Sequence, residues 1–364
     1  MRRTIAIMTA MILGTFLVNA SPQNSDGDSL LYVVRVDGKY GFIDRSGKIV
    51  ITPQYEEASG FHEGLSMVRV RGKYGFIDQK GGIAVKPLFD DWLPFSEGLA
   101  AVKVGRKWGY VGASGQVVIQ PQFDFTLGFS EGLARVELGK KSGYIDKSGK
   151  IVFQIDGFAS GFSEQLAAVN SLSMKNQKAF FIDHSGKQAF QGEFSMVGDF
   201  GDGMAAVERD EKWGYIDRTG NVVIPFQRWS PWGKFSEGLA VVFVPKGVKY
   251  IDKAGKDAIT GKFVRAEPFS EGLAAVQLKV GDDTASRTDT PAGTVLMFKA
   301  GVKYGYIDKT GAMVIPPQFE KAGKFTGGLA QVCLESTLAF DPSGRQQPCG
   351  YIDTTGKMIW QPSK

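Results

Sequence analysis

The chain has 364 residues, of which 43% are hydrophobic and 22% charged, with 47 glycines and a formal net charge of +5. That apolar content supports a continuous core and excludes an intrinsically disordered chain. The charge, which loss of Arg2 and Arg3 would lower by two, is too small to argue for nucleic acid or an anionic membrane surface as a partner.

Residues 1–20 begin with two arginines, continue as an apolar run from Ile5 to Val18 and end in Val-Asn-Ala. This pattern reads as a secretory signal peptide cleaved after Ala20, so a secreted or periplasmic location is expected. The alternative, an uncleaved anchor, is disfavoured because the run is short for a membrane span. No later stretch is long and apolar enough to span a bilayer, so no membrane span is expected after cleavage. Residues 21–28 read as a polar linker, and residues 29–364 as one repeat domain.

The repeating unit is clearest from Phe95 to Phe123. Leu99 to Val104 is rich in small and β-branched residues, as a strand is. Gly105-Arg106 suits a two-residue hairpin turn, and Lys107 to Val111 runs back as a second strand. In most copies that strand ends in Ile-Asp and a turn, as in Asp146-Lys-Ser-Gly149 and Asp217-Arg-Thr-Gly220. Asp suits the turn because its carboxylate bonds the backbone two residues on; Gly suits the last position because it accepts positive φ. Val117 to Ile119 begins a third strand, whose ladder Pro121 ends. The unit is thus a three-stranded meander followed by a loop to the next Phe-Ser-Glu-Gly.

The turn aspartate recurs as Asp44, Asp78, Asp146, Asp183, Asp217, Asp252, Asp308 and Asp353, with Gly112 in its place in the third copy. Successive spacings are 34, 34, 34, 37, 34, 35, 56 and 45 residues, so the chain holds nine copies. A fixed period of this size marks a solenoid or propeller. The aromatic two residues before that position is present every time: Phe42, Phe76, Tyr110, Tyr144, Phe181, Tyr215, Tyr250, Tyr306 and Tyr351. These are expected in the core, against the neighbouring repeat.

Lys39-Tyr-Gly-Phe-Ile-Asp44, Lys107-Trp-Gly-Tyr-Val111 and Lys212-Trp-Gly-Tyr-Ile-Asp217, linked by Phe-Ser-Glu-Gly-Leu-Ala, resemble the bacterial WG (KWG) β-repeat family. The resemblance covers nearly all of the chain beyond residue 28. It implies a binding or scaffold module rather than an enzyme. Ser142, Ala179 and Cys349 depart from the aromatic expected there, and Tyr250 lacks the preceding glycine.

Three extra lengths, at 171–178, 281–300 and 335–348, all fall between first and second strands, so they emerge on one edge of the array. That edge is a candidate binding face. Cys333 aligns with Lys103 and Cys349 with Trp108, positions that face each other across the hairpin. A Cys333–Cys349 disulfide is therefore expected.

Catalytic signals are absent. His62 and His184 occupy ordinary repeat positions, and Glu97, Glu131, Glu164, Glu237 and Glu271 each belong to the repeat's own turn. No phosphate loop, dinucleotide fingerprint or nucleophile elbow occurs, so no catalytic residue, cofactor or metal is assigned. The irregular feature is aromatic: Trp92, Phe125, Trp229 and Trp232 sit in loops before Phe-Ser-Glu-Gly and are not repeated from unit to unit. They offer flat apolar faces to a partner, or fill gaps between repeats. The expected fold is all-β: about nine tandem meanders in an open curved, β-solenoid-like array. A closed β-propeller-like ring is the alternative; the open form is favoured because no strand is left over to complete a shared blade. The expected function is a non-catalytic scaffold that binds a protein partner, or alternatively a glycan or cell-wall binder.

Overall fold

A computed structural model describes residues 30–361, except 140, 171–177, 246, 281–284, 291–292, 299–300 and 335–348; for 285–290 and 293–298 it describes the backbone. The signal peptide and linker predicted from sequence lie outside the described residues. The fold is all-β, with every strand pair antiparallel. In unit 3 the strands are Asp91–Trp92, Leu99–Val104, Lys107–Gly112 and Val117–Phe123, side by side in chain order. The two-residue strand is the one departure from the predicted meander. It lies in the stretch read as a loop, where Trp92 pairs with Val102 and the Leu93 N–H donates to the Ala101 carbonyl at 2.8 Å.

Both residues of the Trp-Gly motif now have a physical explanation. A Cβ on Gly109 would lie 2.4 Å from the Ile119 carbonyl oxygen, so in this unit the third strand crosses where only a glycine fits. The ladder carries an irregularity at that point, between Trp108 and Tyr110. Two units lack the glycine and depart from this crossing. In unit 5 Phe180 stands there, and the third strand is reduced to isolated bridges, Ile182 with Gln188 and Ala179 with Phe194. In unit 7 Lys249 stands there and pairs with Thr260, and the irregularity moves to between Val248 and Lys249. The residue opposite Trp108 across the hairpin, Lys103, places its ammonium 5.4 Å from the indole centroid, and Arg35 over Tyr40 and Arg69 over Tyr74 repeat the pairing. In unit 9 the same two positions are Cys333 and Cys349, which form the expected disulfide with Cα atoms 4.1 Å apart.

The turn after the second strand is built as the sequence suggests. Asp146 Oδ1 accepts from the Ser148 N–H at 2.9 Å, the Ser148 hydroxyl at 2.6 Å and the Lys150 N–H at 3.2 Å. Gly149 has φ of 85° and faces the Ile119 side chain of the preceding unit. This contact of a turn glycine with the preceding third strand recurs: Gly81 with Ile51, Gly115 with Ala84 and Val85, Gly186 with Phe153, Gly220 with Phe190, Gly255 with Ile224, Gly311 with Ile259 and Gly356 with Ile315. The ninth case is Gly47 of unit 1, which meets Ile359 of unit 9.

The array is therefore a closed ring, which corrects the open form favoured from sequence. Nine core clusters join the nine units, one at each interface, and the ninth unites Tyr32, Val34 and Ile43 with Leu329 and Tyr351. The motif aromatics are all buried, as expected, and each packs on the next unit's Phe-Ser-Glu-Gly phenylalanine, for example Phe42 on Phe61 and Tyr306 on Phe325, both with centroids 4.9 Å apart. At the seam Tyr351 meets Tyr32 instead, at 5.4 Å, and the Tyr32 hydroxyl donates to the Gly327 carbonyl at 2.7 Å. Burial pushes the Tyr32 phenol up to about 12. Closure needs no shared blade, because complete units meet face to face. The third strands, with exposed residues on both faces, form the outer rim, which places the short strands at the inner edge.

Candidate functional site

The two faces of the ring differ in chemistry. One carries the Phe-Ser-Glu-Gly loops and the Asp turns. There the carboxylate of one unit accepts backbone N–H groups of the next unit's loop. Glu63 accepts from Glu97 at 2.7 Å and Gly98 at 2.8 Å, and Glu271 from Gly327 at 2.5 Å and Gly328 at 2.8 Å. Glu97, Glu131, Glu164, Asp202 and Glu237 make the equivalent bond to Gly132, Gln165, Gly203, Gly238 and Gly272. The serine before the glutamate adds a second tie, as from Ser96 to the Phe129 carbonyl at 2.6 Å. The recurring glutamates are thus inter-unit clasps.

A shallow basin of about 560 Å³ on this face lies beside Glu164, Asp183, His184 and Arg218. Glu164 clasps Gly203, and Asp183 caps its own turn through Ser185. His184 stacks on Phe162 at 4.2 Å and pairs with Glu131 at 3.3 Å. These side chains already serve the fold. Among the described residues, no three His, Cys, Asp or Glu side chains gather as a metal site.

The opposite face carries the hairpin turns, and with them all three insertions. In unit 8 the insertion forms a second hairpin, Ala285–Thr290 with Gly293–Phe298, between Leu273–Val280 and Gly301–Asp308. The insertions predicted at 171–178 and 335–348 lie outside the described residues apart from Lys178. The strands they join, Ala167–Asn170 with Ala179–Ile182 and Leu329–Cys333 with Cys349–Asp353, are the first and second strands of units 5 and 9.

The four aromatics singled out from sequence are not brought together. Trp92 is half-buried, edge-on to Phe76 at 6.1 Å. Phe125 is half-buried beneath the guanidinium of Arg135, which lies 5.1 Å from its ring and 4.7 Å from that of Phe158. Trp229 is 8% exposed and packs on Tyr215 with centroids 5.6 Å apart. These three fill gaps in and between units. Trp232 is the exception, 46% exposed and edge-on to Phe243 at 5.4 Å.

The backbone at Trp232 also departs from the repeat. In four units the motif tyrosine hydroxyl donates to the next unit's short-strand segment: Tyr110 to Leu127, Tyr144 to Ser160, Tyr250 to Glu267 and Tyr306 to Gly323. Leu127, Ser160, Glu267 and Gly323 are each the residue equivalent to Trp232. The hydroxyl of Tyr215, which would reach Trp232, is buried without a partner, and the pairing shifts between Trp232 and Ser236. Beside Trp232 stand Glu267, Arg265 and Tyr304, which the sequence reading did not single out. Burial pushes the Glu267 carboxyl up, against the Trp232 indole and the Arg265 guanidinium, which favour its charged form. Burial likewise raises the Tyr304 phenol, against Arg265. Arg265 and Tyr304 share a register with Gln277, on the strand that leads into the unit 8 insertion. The result is an exposed indole flanked by a carboxylate, a guanidinium and a phenol at the root of an inserted hairpin.

No match was found among curated proteins. Among solved structures, the ring is similar to a eukaryotic initiation factor, with a TM-score of 0.63 and 12% identity, over 92% of this chain and 96% of that one. It also aligns with the dihydro-heme d1 dehydrogenase NirN, with a TM-score of 0.46 and 14% identity, over 94% of this chain and 75% of that one. At such identities the likeness concerns the fold alone. The profile described as "WG containing repeat" matches residues 40–74, 74–108, 108–141, 143–171, 180–213, 213–244, 250–279 and 304–336, most of the chain. Each window starts within about a residue of the Trp-Gly position of units 1 to 8. The chain belongs to the WG repeat family.

Proposed function

We propose that this chain is a secreted or periplasmic, non-catalytic repeat scaffold that binds a protein partner through its hairpin face. The observation that supports this reading is the placement of all three insertions on that face. The other face is tied by backbone clasps from unit to unit, whereas the hairpin face is joined mainly by exposed side-chain pairs such as Lys73 with Asp90 and Lys107 with Asp124. Trp232 supplies the exposed aromatic anchor that protein interfaces favour. The test is capture from envelope extracts by the mature ring, beside a ring whose 281–300 and 335–348 insertions are cut to two-residue turns. A partner retained equally by both rings would reject the assignment of this face.

The Trp232 cluster favours a second reading, a glycan or cell-wall ligand. An indole face with a neighbouring carboxylate and guanidinium suits a neutral sugar, whose ring stacks while its hydroxyls bond both charges. Retention on a polysaccharide panel that Trp232→Ala abolishes, without any insertion-dependent protein partner, would replace the first reading by the second.

A further inference from the structure

The outer rim of the ring is a series of sheet edges, and one of them is left unguarded. In unit 4 the strands Phe125–Thr126, Ala134–Leu138, Lys141–Ile145 and Ile151–Ile155 lie side by side in that order, so the last has no strand on its outer side. Such a row of free N–H and C=O groups is a template for another chain. Proteins blunt it with proline, with charge or with breaks in the ladder.

The other units use these devices. Units 1, 2, 3, 6 and 8 combine two of them. Pro53, Pro87, Pro121, Pro225 and Pro316 stand in their third strands, and the register shifts across each. Unit 5 has only bridges there. The third strand of unit 7 carries Asp257 and Lys262 and two breaks, and that of unit 9 is three half-buried residues. In unit 4, Ile155 stands where unit 3 has Pro121. Ser142, Gly143 and Tyr144 pair with Ile155, Gln154 and Phe153 without a shift between them, and the one break lies beside the Asp turn. Ile151 and Val152 are 41% and 46% exposed. Phe153 holds the strand down, with its ring 5.0 Å from that of Tyr144 and its face against Gly186 of unit 5. Among the described residues this third strand alone runs five residues without proline, charge or a break in its middle.

The sequence of this edge is complementary to itself. It reads Lys150-Ile-Val-Phe-Gln-Ile-Asp156, with both charged ends exposed. Laid antiparallel on a second copy about Phe153, it sets Ile151 opposite Ile155 of the partner subunit and Lys150 opposite Asp156 of the partner subunit. The two-fold axis makes each of these pairs twice. A slip of one residue would set Lys150 against an isoleucine and lose both charge pairs, so the ends fix the register.

We propose that Ile151–Ile155 is an interaction edge for a second copy of this chain, through which two rings join their four-stranded sheets into one. The contact lies on the outer rim and is independent of the hairpin-face reading. It spans few residues, so the dimer is weak and exchanging, with a dissociation constant on the order of 100 μM.

The test is sedimentation velocity of the mature protein over about 10 μM to 1 mM, a range that brackets such a constant. A monomer–dimer equilibrium is expected. Val152→Lys, at an exposed position, and Ile155→Pro, which installs the proline of the other units, should each abolish it; melting curves show that the variant ring is folded. Lys150→Glu alone and Asp156→Lys alone should each weaken self-association about tenfold, since like charges then face each other. Mixing these two variants should restore the dimer, because opposite charges meet again at both ends. A chain that stays monomeric throughout would overturn the proposal, as would a dimer that survives Val152→Lys. Single charge variants that dimerise as well as the parent would reject this register. A monomeric ring that instead captures an envelope protein, and loses it on Val152→Lys, would assign the edge to a foreign strand and not to a second copy.

Discussion

Replacing Trp229 and Trp232 one at a time separates structural from recognition aromatics within one short segment. Trp229 is buried against Tyr215 in the cluster that joins units 6 and 7, together with Ile224, Phe235 and Val242. Trp229→Ala removes that contact and leaves a cavity, at a cost of about 3–5 kcal/mol. A ring of this length that unfolds as one unit has an unfolding entropy of about 0.7 kcal/mol/K, so the melting temperature should fall by about 4–7 °C. Trp232 is largely solvated on one face, and Trp232→Ala should cost less than about 1 kcal/mol. The assay is calorimetric melting of both variants beside the parent. A drop of several degrees for Trp232→Ala, or none for Trp229→Ala, would refute the assignment of the two side chains.

The Cys333–Cys349 bond closes a sequence separation of 16, so Cys333→Ala with Cys349→Ala should cost about 3 kcal/mol; unchanged melting would show that the bond adds nothing to the last hairpin. Acid should unfold the ring through its turns: hydroxyls of Ser46, Ser148, Thr219 and Thr310 hold Asp44, Asp146, Asp217 and Asp308 below the ordinary carboxylate range. Depressed folded values mean a contribution present in full above the unfolded value, about 4, and lost as pH falls through the folded ones, so a melting temperature flat from about pH 6 to 3 would count against these turns. The closed ring should scatter as a compact particle with a radius of gyration near the globular value of about 21 Å, and deletion of residues 325–364 should destabilise every unit; an elongated profile would reject closure.

The repeat was legible because its duties are local. The Asp turns, the hairpins and the buried aromatics follow from neighbours in sequence, and the disulfide followed from one register. Closure was not legible. It rests on contacts such as Tyr32 with Gly327, separated by 295 residues, and on the cluster of Tyr32, Val34 and Ile43 with Leu329 and Tyr351. The short inner strands escaped notice because two residues, such as Asp91-Trp92, carry no alternating pattern. The site was legible only in part. Trp232 stood out as an unrepeated aromatic, but Arg265, Glu267 and Tyr304 come from other strands and read as ordinary polar positions. One signal was available after the fact: Tyr215 is a repeat tyrosine whose hydroxyl finds no acceptor, which marks the displaced segment at Trp232.

The division of labour between the two faces follows from the unit's geometry. On one face each loop answers to its neighbours: the carboxylate to the next unit's N–H groups, the turn glycine to the preceding unit's third strand. A residue inserted there would break two interfaces at once. On the other face the hairpin turn closes two strands of the same unit. Lengthening it costs loop entropy, which grows slowly with length, and in some units the bond from the turn N–H to the carboxylate of the preceding loop, as from Gly105 to Asp90. Insertions of very different sizes in units 5, 8 and 9 therefore leave the ring intact. The same reasoning explains why the disulfide sits where it does. Cys333 and Cys349 lie at the neck of the 335–348 insertion, on the face where a long excursion would otherwise leave its hairpin unanchored.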